Sequence, residues 1–200
     1  MKLISTIILG CLAILAVGQK TELLYLSGTG ADHTVEWDFY CSDGMNSGNW
    51  TTIEVPSCWE QQGFGSYNYG QDSFVDRLNE TGLYRYSFEI PAAWKAKQVY
   101  IVFEGVMTDA EVKINGKLAG PTHQGAFYQF NYDISKHLKY GSINKLEVLV
   151  KKHSENESVN LAERRADFWV FGGIFRPVLL EAKNKENINR VEIDSRANGD

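Results

Sequence analysis

Asp167 is the lone acid in an aromatic stretch, residues 164–176 (RRADFWVFGGIFR), beside Phe168, Trp169 and Phe171. A second segment, 56–70 (PSCWEQQGFGSYNYG), sets Trp59, Phe64, Tyr67 and Tyr69 among glycines. Loops with so many rings either pack on their own domain or meet a ligand with both apolar and polar faces. Sugars are such ligands: their C–H faces rest on aromatic platforms, and a carboxylate accepts hydrogen bonds from their hydroxyls. The alternative is that the rings cover the ends of the fold or bury against a neighbouring domain. A carboxylate among rings is costly unless something satisfies it. Arg164, Arg165 or sugar hydroxyls could do so.

Other chemistries find less support. No nucleophile elbow, phosphate-cradling loop or HExxH pattern is present, and no catalytic residue is assigned. His33, His123, His137 and His153 sit singly, and neither they nor the three cysteines have metal-ligand spacing. With 20 basic against 25 acidic residues the net charge is -5, which argues against nucleic-acid binding through phosphate neutralisation. At 44% hydrophobic and 12% aromatic, the chain can build a packed core.

The N-terminus reads as a leader. Met1-Lys2 is a short basic start, residues 3–17 are largely apolar, and small residues Ala16 and Gly18 frame a cleavage site. The run falls short of the ~20 residues a membrane span needs. A signal peptide over 1–18, with an exported (periplasmic or secreted) mature chain, is the expectation. A membrane anchor, a buried first helix or lipoprotein cleavage before Cys11 are the other readings. Cys41 and Cys58 are the cysteines left after cleavage. An oxidising compartment permits them to pair, stabilising the domain by roughly 3 kcal/mol in the chain-entropy model. The alternative is two separate buried thiols.

The elements that must carry these residues read as strands. Alternating or continuous apolar runs fall at 34–40, 50–55, 82–90, 98–104, 110–120, 127–132, 145–150 and 174–180, bounded by turn residues. Asn115-Gly116 inside one of them predicts a hairpin tip, since both central positions of a type I′ turn need positive φ. At least eight strands without a helix-period stretch predict an all-β, two-sheet jelly-roll sandwich. Residues 182–189 read as a linker, and Ile188, Val191 and Ile193 open a new alternation.

Four stretches in order resemble the N-terminal sugar-binding domain of glycoside hydrolase family 2, the β-galactosidases, β-glucuronidases and β-mannosidases. They are 53–59 (IEVPSCW), 81–90 (TGLYRYSFEI), 102–116 (VFEGVMTDAEVKING) and 167–180 (DFWVFGGIFRPVLL). The resemblance implies a galactose-binding-domain-like jelly roll over 19–183. Residues 184–200 would then be a linker and the start of an immunoglobulin-like domain, followed by a TIM barrel with two catalytic glutamates. It implies that Asp167, opening the D-x-W-x-x-x-G-I-x-R motif with Trp169, Gly173, Ile174 and Arg176, accepts hydrogen bonds from the terminal sugar. A second contact, an Asn in β-galactosidases, falls near Gln71, a different residue in a loop of different length. No cofactor is expected in this chain. In some β-galactosidases the Asp167-type carboxylate also touches a sodium ion, so the resemblance allows a monovalent or divalent cation in the full enzyme. Carbohydrate is the expected partner, with neither nucleic acid nor a membrane span after cleavage. A free-standing carbohydrate-binding module without catalysis shares the fold and is the competing reading.

Overall fold

The computed structural model describes residues 20–72, 80–188 and 190–196. The expected leader at 1–18 lies outside these residues. Twelve strands run through the described chain: β1 (Glu22–Tyr25), β2 (Val35–Cys41), β3 (Trp50–Val55), β4 (Asn68–Tyr69), β5 (Thr81–Glu89), β6 (Lys97–Phe103), β7 (Asp109–Ile114), β8 (Lys117–Leu118), β9 (Phe130–Asp133), β10 (Ile143–Lys151), β11 (Trp169–Val170) and β12 (Val178–Asn184). They form a four-stranded sheet, β1-β12-β6-β9, a six-stranded sheet, β3-β2-β5-β10-β7-β8, and a two-stranded ribbon, β11-β4.

Period-2 patterning explains the large sheets. In β10, Asn144, Leu146, Val148 and Val150 are buried while Ile143 and Lys145 are exposed, so one face packs and the other meets water. Both sheets turn their apolar faces to one core, where Ile101, Phe103, Val178 and Leu180 from one side join Trp37, Phe39, Tyr84 and Val148 from the other. This is an all-β sandwich. The Asn115-Gly116 tip forms as expected, with φ of 53° and 78°, joining β7 to β8. The Asn115 side chain also accepts from Lys145 N (3.0 Å) and donates to His137 O (2.8 Å).

Several elements depart from the sequence reading, the two-residue strands β4 and β11 among them. The run at 174–180 becomes a strand only from Val178, after Pro177, which has no N–H to give a ladder. β12 then continues to Asn184, opposite Lys97, so the first three residues of the segment 182–189 expected as a linker are strand. At the sheet edge β1 pairs with β12, although four residues are too few to show a period. A short helix (Glu157–Val159) runs into a π-turn (Asn160–Arg164), its start capped by the Asn156 side chain. Ile188, Val191 and Ile193 form no strand and are 83%, 68% and 86% exposed. Cys41 and Cys58 are separate thiols. Their backbones leave opposite ends of the β2–β3 ladder, since Val35 pairs with Val55 and Tyr40 with Trp50. The Cys41 thiol instead donates to Asp43 O (3.1 Å).

Candidate functional site: a carboxylate and aromatic rim on a buried charge cluster

The ribbon β4–β11 brings the two aromatic segments together. Trp169 pairs with Tyr69 and Val170 with Asn68, and Gly70 N donates to Phe168 O at 2.7 Å. Gly70 must be glycine, because a Cβ there would stand 2.1 Å from Ala166 O. Alternation across the ribbon buries Asn68 and Val170 and turns Tyr69 and Trp169 outward.

Asp167 lies two residues before Trp169 and is exposed. Its carboxylate accepts the Tyr69 hydroxyl. Of the two arginines suggested by the sequence, Arg164 is buried and donates to Phe171 O. Donation to Asp167, with Asp72 also facing the ring, holds the Tyr69 phenol above its usual pKa. The Asp72 carboxylate accepts Tyr69 N at 2.7 Å. Trp169 is 54% exposed and sits edge-on to Tyr69 (5.3 Å) and Tyr67 (6.1 Å). Gln71 is exposed in the turn that closes with Asp72 N donating to Tyr69 O (3.0 Å). The structure therefore gathers Asp167, Trp169 and the Gln71 turn at one end of the sandwich. It adds Tyr69, whose role beside Asp167 was not foreseen.

Beneath the rim is a cluster that sequence reasoning missed. Lys152, with no exposed side-chain surface, lies 2.7 Å from Glu60 and 2.9 Å from Glu80, which are equally buried. Lys152 also donates to Ser66 O. Glu80 accepts Trp59 Nε1 at 2.9 Å, and Glu60 accepts Gly172 N at 3.0 and 3.1 Å. Burial pushes the Glu60 carboxyl above the usual glutamate value, opposed by Lys152 and by the Gly172 N–H. Charged residues of this kind read in sequence as surface groups. Glu80 and Lys152 directly flank β5 and β10, whereas Glu60 lies in the short helical turn Trp59–Gln62.

Among the described residues, no group of three His, Cys, Asp or Glu is placed to hold a metal, and no helix is long and apolar enough to cross a membrane. Exposed rings thus flank an exposed carboxylate on a short ribbon of an all-β sandwich. Residues 31–184 match the family model described as glycosyl hydrolases family 2, sugar binding domain, and the chain belongs to that family. It is 36% identical over 108 residues to a β-galactosidase of Thermoanaerobacter pseudethanolicus, covering 54% of this chain and 14% of that protein. With a β-galactosidase of Psychromonas ingrahamii it shares 30% identity over 172 residues, 82% of this chain and 16% of the relative. The crystal structure of a putative β-galactosidase from Bacteroides fragilis superposes with a TM-score of 0.54 at 28% identity, covering 81% of this chain and 23% of that one. The chain thus spans only about one-seventh of the length of these curated relatives.

Proposed function

We propose that this chain is the N-terminal sugar-binding domain of an exported, β-galactosidase-like family 2 glycosidase, with a signal peptide at 1–18, a jelly roll at 19–183 and an immunoglobulin-like domain beginning after 184. The non-sequential strand order β1-β12-β6-β9 over β3-β2-β5-β10-β7-β8 supports the jelly roll. In this reading the whole enzyme hydrolyses O-glycosyl bonds with retention, through paired carboxylates carried on a TIM barrel. The present domain shapes the mouth of that active site.

One observation carries the reading: Asp167 is exposed at the rim, with the Tyr69 hydroxyl engaging one of its oxygens. A carboxylate has about four lone-pair sites, so capacity remains for sugar hydroxyls. The Tyr69 bond fixes its orientation in advance. Trp169 offers an apolar edge beside it, and Gln71 offers an amide on the adjoining turn. Asp167 would strengthen its hydroxyl contacts as the sugar distorts toward the transition state. A cation at the mouth would find the Asp167 carboxylate, and its other ligands would come from outside the described residues. No step here depends on it.

The test is D167N in the complete enzyme, assayed on a chromogenic β-galactoside. Loss of a charged acceptor predicts kcat/KM lowered by about 2–4 kcal/mol of transition-state binding, with Tm nearly unchanged. A variant that melts many degrees lower yet turns over normally when folded would return Asp167 to a structural role. Sugar binding by a chain whose reading frame encodes no barrel would favour the free-standing module.

A further inference from the structure

A ribbon of two residues per strand does not hold its own shape in water, so the position of Asp167 and Trp169 has to be imposed from outside it. Both chains of the ribbon are tied to one residue. Just ahead of β4, the Tyr67 hydroxyl donates to the backbone carbonyl of Glu60 at 3.1 Å. Just after β11, Gly172 N donates to the Glu60 carboxylate at 3.0 and 3.1 Å, while Gly172 O accepts Trp59 N at 3.0 Å. Gly172 can come this close because it lacks a Cβ, which would stand 2.1 Å from Trp59 Cζ2. Lys152 compensates the buried charge and reaches Ser66 O, the residue before Tyr67.

We infer that Glu60 is the positioning residue of the rim: its carboxylate, held by Lys152, grips Gly172 N and thereby sets where Asp167 and Trp169 stand relative to Tyr69. The consequence for sugar contact rests on the proposed function; the placement itself does not. Glu60 does not touch the ligand. It acts through five residues of backbone, from Gly172 back to Asp167.

Two variants separate reach from charge. E60D keeps the negative charge for Lys152, whose flexible stem can follow, but is one methylene too short for the backbone N–H of Gly172. E60Q keeps the reach and an acceptor oxygen but loses the charge. The readout is the phenol titration of Tyr69, followed by NMR on ring-labelled tyrosines and assigned with Y69F. The wild-type phenol titrates above the ordinary value of 10.0 because it donates to Asp167, with Asp72 also facing it; D167N should lower it and so calibrates the signal. The expected result is that E60D brings the Tyr69 titration down toward 10.0 while E60Q retains the wild-type value. Equal titrations in the three proteins, or loss in E60Q and retention in E60D, would overturn the inference. Hydrogen exchange in the unmutated chain supplies a second measurement that does not depend on a variant folding. The Gly172 amide should be protected as strongly as the amides of β5 and β10, and rapid exchange there would also overturn it. Neither measurement uses a sugar, so an inactive enzyme or a different substrate leaves both readable.

Discussion

Replacing Lys152 by Met tests the buried cluster most sharply. The substitution keeps an unbranched side chain of similar length and removes an ammonium with no exposed surface. It leaves two carboxylates, Glu60 and Glu80, that had been 2.7 and 2.9 Å from it. Each retains one partner, Gly172 N for Glu60 and Trp59 Nε1 for Glu80, but their mutual repulsion is no longer compensated. Breaking a buried ion pair from one side costs about 3–5 kcal/mol, and the two pairs share an ammonium, so their costs do not add. For a domain of this size that corresponds to a Tm lower by about 6–20 °C. The pH dependence has a definite sign. Burial already raises the Glu60 carboxyl above 4.5, and removing Lys152 removes the largest opposing influence. A carboxyl raised in the folded state contributes stability that is complete below its unfolded pKa and is lost as pH rises through the folded value. K152M should therefore lose stability as pH rises from about 4.5 upward more steeply than wild type. The gap between the two proteins narrows toward pH 4. Urea unfolding followed by tryptophan fluorescence at pH 4, 6 and 8 measures it, since Trp59 bonds directly to Glu80. A gap below about 1 kcal/mol at pH 8 would refute the reasoning, as would one that widens on acidification.

Three further expectations concern the same chain. Residues 19–200 alone should show no turnover of chromogenic β-glycosides; turnover abolished by mutating one of the chain's own carboxylates would contradict this. G172A should destabilise the domain by about 1–3 kcal/mol through overpacking, because its Cβ would meet the Trp59 ring at 2.1 Å; an unchanged urea midpoint would show that the loop yields. Burial pushes the Cys58 thiol up to about 11, so reaction with a disulfide reagent at pH 8 should be far slower in the native than in the unfolded chain. Rapid native labelling would disprove that. A mass two hydrogens short would show that Cys41 and Cys58 pair after all.

The sequence by itself determined the parts whose information is local. Alternation at 50–55 and 82–90 marked strands because one face of each must be buried, and the structure places β3 and β5 there. Asn115-Gly116 marked a hairpin because few other dipeptides tolerate two positive φ angles in succession. Asp167 stood out locally as the lone acid among rings, and the family resemblance of its D-x-W-x-x-x-G-I-x-R motif implied its role; the fold puts Asp167 and Trp169 beside the Gln71 turn. Strands β4 and β11 were out of reach, since two residues cannot display a period. The buried cluster was hidden for a different reason. A charged side chain is tolerated in a core only where distant partners compensate it, and those partners lie far away in the chain: Glu60 and Gly172 are 112 residues apart, Glu80 and Lys152 72. Tyr69 meets Asp167 across 98 residues. Local composition carries no record of such pairings, and only the closing of two sheets over one core brings them within hydrogen-bond distance.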